Sequence, residues 1–244
     1  MIRIWMWVFL VVGGIPAWAT AQVNISVLET YVSTSQSATH ETGSFTPSGT
    51  NRALIVCLTN DSTTASGPAA TSMAFNTSET MTQLIRESRS SLWWLANPSN
   101  TSATISYTVE ATTASTATVM LVTNANQTTP TLTDSEDCVS PCSSNTVNAS
   151  ITTVVANTLL VTCAYSNADS ATFTHGAGQT ELTETSNTTA PDYADSTSYI
   201  TKVSPGVQAV SSTATSSNRM TYAVAAIAPA GVAVRRFVSP LLLP

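Results

Sequence analysis

Short runs of β-branched and apolar residues are the feature that most restricts the fold of this chain. They recur along its length, separated by Ser, Thr, Asn, Gly and Pro, and helical periodicity is hard to find. The pattern predicts an all-β protein. The clearest predicted strands are Ala53–Thr59, Ser91–Ala96, Thr104–Val109, Ala117–Thr123, Thr158–Tyr165, Thr197–Val203 and Met220–Ile227. Weaker ones are Val23–Tyr31, Met73–Asn76, Thr82–Arg86, Thr146–Thr153, Ala171–Thr174, Thr180–Thr185 and Val207–Ala214.

An internal repeat with a nearly constant spacing restricts how these strands are arranged. The segment NRALIVCLTN, which begins at Asn51, resembles NTLLVTCAYSN, which begins at Asn157. In each segment the Asn is followed six residues later by a cysteine, Cys57 or Cys163. SLWWLANPS pairs with TSYITKVSPG at a similar spacing, and TATVMLVTNA pairs with MTYAVAAIAPA. A duplicated half-domain would leave this pattern.

The predicted fold is a two-sheet antiparallel β-sandwich, jelly-roll-like, built from two pseudo-repeated halves. The halves are about 22–125 and 126–230. They are expected to close into one sandwich domain, 22–230, because neither half can bury both of its faces alone. A disordered Ser/Thr-rich stalk would have no reason to space its aliphatic and aromatic residues so that they bury a face.

The N-terminus predicts export. Arg3 precedes a short uncharged apolar stretch, and the small residues Ala19 and Ala21 fit the shallow pockets of signal peptidase. The stretch is shorter than the roughly 20 residues that span a bilayer. Residues 1–21 are therefore expected to be a cleaved signal peptide, with an uncleaved anchor as the alternative.

The charge of the chain disfavours several classes of partner. Its formal net charge is −6, and Lys202 is its single lysine. Binding to nucleic acid needs clustered Lys or Arg, so it is not expected, and binding to anionic membranes is disfavoured for the same reason. The C-terminal tail, 231–244, is apolar but interrupted by Arg235, Arg236 and Pro240, so the mature chain is expected to have no membrane span.

Four cysteines in an exported chain indicate disulfides. Cys138 and Cys142 are expected to bond locally, because a zinc site would need more thiol or imidazole ligands at suitable spacing. Cys57 and Cys163 leave two alternatives open. If their strands lie beside a pseudo-two-fold axis, the two sulfurs meet. If the strands lie away from it, each cysteine is a small buried apolar residue.

The chain also resembles a recurrent module of secreted bacterial surface proteins. That module has an Asn-Arg before an aliphatic strand, an LWYL-x-x-P-like strand, a threonine-rich strand, a G-x-x-Q-T-like step and a final strand before Pro-Ala. The resemblance implies a secreted, jelly-roll-like β-sandwich without an assigned chemistry, and no catalytic residue to carry over. The matching positions lie between Val23 and Ala230: Asn51-Arg52 to Val56, Leu92–Pro98, Thr101–Thr108, Gly178-Gln179-Thr180 and Ala223–Ala230.

Trp93 and Trp94 are the candidate ligand-binding residues. Because they are adjacent on a predicted strand, they point to opposite faces, and one of them should lie in the core. The other could be an exposed platform that stacks on a sugar ring. Core positions for both are favoured, since the aligned residues Tyr199 and Ile200 are a packing-type pair.

Two groups of acidic residues are weak candidates for calcium sites. Asp134, Glu136 and Asp137 could bind calcium together with loop carbonyls, and Asp192 and Asp195 form a weaker second group. Neither matches an EF-hand spacing, so solvated loops are the favoured interpretation. No bound metal and no cofactor are expected.

Catalytic residues are not evident in the sequence. Glu181 and Glu184 resemble a carboxylate pair, but residues three apart on a regular strand lie on opposite faces. Neither His40 nor His175 has a recognisable Ser or Cys partner. The expected function is a non-catalytic secreted or cell-surface structural or adhesive module that contacts glycans or other surface proteins. A carbohydrate-binding module and an unrecognised hydrolase are the alternatives.

Export gives the first testable prediction. N-terminal sequencing of material recovered outside the cytoplasm is expected to begin at Gln22 or Thr20, because small residues precede both positions. Exported protein that still begins at Met1 would contradict the signal-peptide interpretation.

Overall fold

The computed structural model describes residues 22–60, 70–128, 132–138, 144–168, 170–187, 193–202, 204–217 and 219–231. The predicted signal peptide, Cys142, Asp192 and the tail from residue 232 onward lie outside these residues. Within them every regular element is a strand: β1 (Asn24–Glu41), β2 (Ala53–Asn60), β3 (Ala70–Phe75), β4 (Glu79–Thr80), β5 (Thr82–Glu87), β6 (Ser90–Ala96), β7 (Ile105–Thr123), β8 (Leu132–Cys138), β9 (Thr146–Thr153), β10 (Thr158–Ser166), β11 (Phe173–His175), β12 (Thr180–Asn187), β13 (Tyr193–Lys202), β14 (Gly206–Ala214) and β15 (Met220–Ile227).

The predicted all-β class is confirmed, and each predicted strand has a counterpart. Thr104–Val109 and Ala117–Thr123 prove to be the two ends of one long strand, β7. Two strands were not predicted, β4 and β8. β8 contains Asp134, Glu136 and Asp137, so the expected acidic loop is a strand. The composition of β8 disfavours a strand, but the pairing of β8 with β15 along its whole length outweighs that local preference.

The strands form three antiparallel sheets. In the first sheet the order is β4-β3-β7-β2-β6-β5, and β1 also pairs with β7. The second sheet has the order β12-β13-β10-β15-β8 and the third the order β11-β14-β9. β1 pairs with both ends of β7, and its register shifts between Ser33 and Thr39. These shifts let the first sheet curl back over one of its own faces.

Buried apolar residues form three large clusters and a small fourth one, which consists of Ala114, Tyr165 and Tyr193. The central cluster lies between the first and second sheets. The first outer cluster lies inside the curl of the first sheet, and the second outer cluster lies between the second and third sheets. β2, β10 and β15 are buried on both faces, so their alternate residues serve different clusters. Representative members are Ile55, Met120 and Val161 (central), Leu54, Phe75 and Val119 (first outer), and Leu160, Val210 and Tyr222 (second outer).

A disulfide joins the two facing sheets through their inner strands. Cys57 on β2 and Cys163 on β10 are bonded, with Cα atoms 5.5 Å apart. The sequence had left open whether these two sulfurs meet. Both cysteines belong to the central cluster, and they are 1% and 0% exposed. The bond therefore crosses the layer in which the two sheets pack against each other.

Removal of this disulfide is expected to destabilise the fold strongly. It closes a loop of 106 residues, for which the chain-entropy model gives a stabilisation of about 4 to 5 kcal/mol. The double variant Cys57→Ala/Cys163→Ala should lose free energy of unfolding of this order in urea denaturation. Chemically reduced wild-type protein is the control and should behave similarly.

Peptide mapping without reduction checks the assignment behind that prediction. It should recover a Cys57–Cys163 linkage, and it also tests the predicted local Cys138–Cys142 bond, whose second cysteine, Cys142, lies outside the described residues. A Cys57–Cys138 linkage, or a loss below about 1 kcal/mol in the double variant, would contradict this account of the central layer.

Candidate functional site

Trp93 and Trp94 lie on β6 and point to opposite faces. Trp93 belongs to the first outer cluster and Trp94 to the central cluster, and each is 5% exposed. The Trp93 indole N–H donates to Ser91 Oγ at 3.1 Å, which satisfies its polar group inside the protein. A sugar-stacking platform needs an exposed ring, so neither tryptophan can supply one in this structure.

Both histidines have serine partners, which the sequence did not reveal. His175 Nε2 lies 2.9 Å from Ser196 Oγ and 3.6 Å from an oxygen of Glu181. His40 Nδ1 lies 3.1 Å from Ser33 Oγ. His175 and Ser196 lie on different strands, β11 and β13, so no local motif marks the pair.

The serine of each pair is buried. Ser196 and Ser33 are 0% and 3% exposed, so neither hydroxyl is open to a substrate. The Ser196 hydroxyl donates to the Thr183 carbonyl at 2.8 Å, which leaves His175 as donor in their hydrogen bond. Burial lowers the pKa of both imidazoles and so favours their neutral forms.

Glu181 and Glu184 lie on one face of β12, and the prediction that they face opposite ways is wrong. A register shift between Glu181 and Thr183 places Glu181 opposite Ser198 and Glu184 opposite Ser196. Because one extra residue is inserted at this bulge, the strict alternation of the strand is broken. The pKa of Glu181 is raised by partial burial and by the charge of Glu184. Glu184 Oε2 also accepts the Phe173 main-chain N–H at 2.7 Å, which ties β12 to the start of β11.

Gln179 connects three strands of the second half. Its Oε1 accepts the Ser211 main-chain N–H at 2.9 Å. Its Nε2 donates to Ser198 Oγ at 2.9 Å and to Tyr222 Oη at 3.2 Å. The carboxamide thus holds the turn before β12 against β13, β14 and β15. This gives the G-x-x-Q-T-like step a structural role.

Asp195 is the most unusual titratable group of the described chain. The sequence suggested an acidic loop, but Asp195 lies on β13, which pairs with both β10 and β12. It is 1% exposed, and neither carboxyl oxygen is in hydrogen-bonding geometry with a described group. Burial raises its pKa to about 7, although the nearby hydroxyls of Thr116 and Thr59 act to lower it.

Asp195 belongs to a polar layer, where the central cluster gives way to polar side chains between the first and second sheets. Hydrogen bonds cross this layer from one sheet to the other. The Arg89 guanidinium also lies 5.6 Å from the centre of the Tyr165 ring. Burial raises the pKa of Tyr165 and Tyr193, so both hydroxyls stay protonated and available as donors. The crossing pairs include Thr116–Tyr193 at 2.9 Å, Thr221–Ser90 at 3.0 Å, Arg219–Ser88 at 2.8 Å and Arg89–Tyr165 at 3.2 Å.

The described part of the chain has neither a metal-binding group of side chains nor a helix of membrane-spanning length. No group of three His, Cys, Asp or Glu residues there is placed to hold a metal ion. No helix there is long and apolar enough to cross a membrane. The main chain of β8 includes Asp134, Glu136 and Asp137, the weak calcium candidates of the sequence.

Replacement of Asp195 is expected to stabilise the protein at neutral and alkaline pH. The unfolded carboxyl ionises near pH 3.8 and the folded one near 7, so its ionisation favours unfolding as pH rises between these values. This difference corresponds to about 4 kcal/mol, fully expressed above pH 7 and absent below about pH 4. Asp195→Asn should therefore be more stable than wild type at pH 8 and nearly equal to it at pH 4 in urea denaturation.

The matched control is Glu181→Gln, because the Glu181 side chain is 45% exposed and its ionisation is screened by water. It should show a much smaller dependence on pH. A wild-type protein whose stability exceeds that of Asp195→Asn at pH 8 would show that the carboxylate is stabilised in the folded state.

Comparison with protein-family models, with curated proteins and with solved structures returns no match.

Proposed function

We propose that this chain is a non-catalytic secreted or cell-surface module with a structural or adhesive role. The observation that carries the proposal is the buried Cys57–Cys163 bond, which crosses the centre of the molecule. Disulfides of this kind persist in oxidising, extracytoplasmic compartments. A covalent clamp between two packed sheets suits a protein that must keep its shape outside the cell.

The proposed architecture is a two-sheet sandwich formed by the first and second sheets, with the disulfide in its central layer. The outer faces of this sandwich are covered by the curl of the first sheet and by the third sheet. Both sheets of the sandwich can then be apolar on two faces, as the fully buried patterns of β2 and β10 require.

We further propose that the two halves are duplicates, and three observations support this. β2 lies between β6 and β7, and β10 lies in the same way between β13 and β15. Asn51 and Asn157, which precede β2 and β10, both adopt positive φ, at 45° and 59°. The edge strands β5 and β12 both contain a register shift at a leucine, Leu84 or Leu182, that packs against the central cluster.

The side chains that could take part in chemistry are buried or hydrogen-bonded inside the fold, which favours a structural role for the protein. Both imidazoles are held by buried serines, and Asp195 is sealed between two sheets. The near absence of lysine and the abundance of Ser and Thr also suit an exterior that is exposed to proteases.

Localisation tests the proposal directly. Fractionation of the source cells, with an antibody against the chain, should recover it from the medium or the cell surface with Cys57 and Cys163 oxidised. A cytoplasmic enzyme is the fractionation control. Recovery in the cytoplasm with both thiols reduced would overturn the proposal, because the clamp would then not exist in the cell.

A glycan array and a hydrolase screen with the purified chain separate the remaining alternatives. Saturable glycan binding would support a carbohydrate-binding module that uses a surface other than Trp93 and Trp94. Turnover of a substrate would support a hydrolase. The non-catalytic proposal expects no turnover of any substrate in the screen.

A further inference from the structure

Several asparagines of the chain begin a sequon, the sequence Asn-x-Ser/Thr in which x is not proline. A sequon is the site at which an oligosaccharide can be attached to an exported chain. The pattern alone does not distinguish one sequon from another, but the structure divides them by the exposure of the asparagine. The sequons begin at Asn24, Asn60, Asn76, Asn100, Asn126, Asn148 and Asn187.

Three of these asparagines are buried in the folded protein. Asn60 and Asn187, at the ends of β2 and β12, are 2% and 1% exposed, and Asn126 is 8% exposed. Asn187 Nδ2, the atom that would carry a sugar, donates to the Ser33 carbonyl at 3.3 Å. Asn126 Oδ1 accepts the Thr128 main-chain N–H at 2.9 Å. Because an oligosaccharide is bulky and hydrophilic, the fold has no room for one at these positions.

Two of the exposed asparagines lie in turns and not within strands. Asn76 lies in the turn that joins β3 to β4, and Asn100 lies in the connection from β6 to β7. Every residue of these two sequons, 76–78 and 100–102, is exposed. Neither side-chain carboxamide is held by a hydrogen bond to another described residue. Surface turns of this kind are where an attached oligosaccharide can extend into water. The other exposed asparagines, Asn24 and Asn148, lie within β1 and β9.

The two turns lie side by side, and main-chain hydrogen bonds hold both of them. The Asn76 N–H donates to the Thr104 carbonyl at 3.0 Å. The Ser99 N–H donates to Glu79 Oε2 at 2.9 Å, which joins the connection that contains Asn100 to the start of β4. Asn76 has a φ of 50°, a left-handed conformation that asparagine tolerates better than most residues. The main chain thus presents both carboxamides from one surface of the first sheet.

We propose that Asn76 and Asn100 carry N-linked oligosaccharides on the exported protein. This inference rests on the proposed function, because the sugar is transferred during export. The donor is a lipid-linked oligosaccharide, and the oligosaccharyltransferase of the export pathway catalyses the transfer. A bond forms between asparagine Nδ2 and sugar C1 as the bond from C1 to the lipid diphosphate oxygen breaks. Nδ2 loses one proton, and the lipid diphosphate leaves.

Oligosaccharides at these two positions would cover one edge of the first sheet. β4 is the edge strand there and is only two residues long, and the longer β3 lies next to it. The Asn76 turn connects these two strands directly. A bulky hydrophilic group beside a sheet edge opposes pairing of that edge with another chain. The modification would therefore keep this edge soluble outside the cell.

Mass spectrometry of the protein recovered outside the source cells tests the proposal. Digestion with peptide-N-glycosidase in heavy-oxygen water converts each sugar-bearing asparagine into an aspartate that contains the heavy isotope. This label is expected at Asn76 and Asn100. It should be absent from Asn60 and Asn187, because both are buried in the folded protein.

Substitutions of the third sequon residue separate N-linked transfer from other modifications. Ser78→Ala destroys the sequon but keeps Asn76, so the label at Asn76 should be lost while the label at Asn100 stays. Ser78→Thr is the matched control, because it preserves the sequon and should retain both labels. Ser102→Ala and Ser102→Thr form the equivalent pair for Asn100.

Exported protein in which Asn76 and Asn100 are both unmodified would overturn the proposal. So would a label at Asn76 that persists in Ser78→Ala, because such a modification does not depend on the sequon. A label at Asn60 or Asn187 in folded, disulfide-bonded protein would contradict the argument from burial. An exported and oxidised chain without sugar leaves the proposed function intact, whereas a cytoplasmic chain with reduced thiols overturns both proposals.

Discussion

The packing of β2 against β10 across the central layer is the contact on which the rest of the structure depends. Both strands are buried on both faces, so each has to be covered twice. The facing sheets cover the inner sides, and the curl of the first sheet and the third sheet cover the outer sides. The disulfide between Cys57 and Cys163 fixes the relative position of the two strands at the centre of this arrangement. Apolar burial and the disulfide bond thus both stabilise the same central layer.

The polar layer contains a group whose ionisation lowers the free energy of unfolding, and the central layer has to offset this loss. A carboxyl buried at Asp195 opposes folding once it ionises, and its raised pKa is the sign of that opposition. Hydrogen bonds such as Thr116–Tyr193 favour folding instead, because they join the two sheets in a defined geometry. The layer therefore restricts how the two sheets can be placed, while the apolar cluster beside it supplies most of the attraction.

The edge strands β5 and β12 share a feature that shapes the surface of the molecule. Both are bulged, and in β12 the bulge also brings Glu181 and Glu184 to one face. Bulges are among the usual means by which sheet edges avoid pairing with another chain. One inserted residue in β12 therefore affects both the edge of the second sheet and the placement of its two carboxylates.

The sequence alone determined the strand class and most strand positions, because alternation and β-branching are local properties. Only the tertiary structure decided which partners those strands meet. β8 is a strand because β15 pairs with it, and the two glutamates share a face because of one inserted residue. The Cys57–Cys163 bond and the His175–Ser196 pair likewise join strands that are remote in sequence. Register and layer packing arise from contacts between distant segments, and no local pattern encodes them.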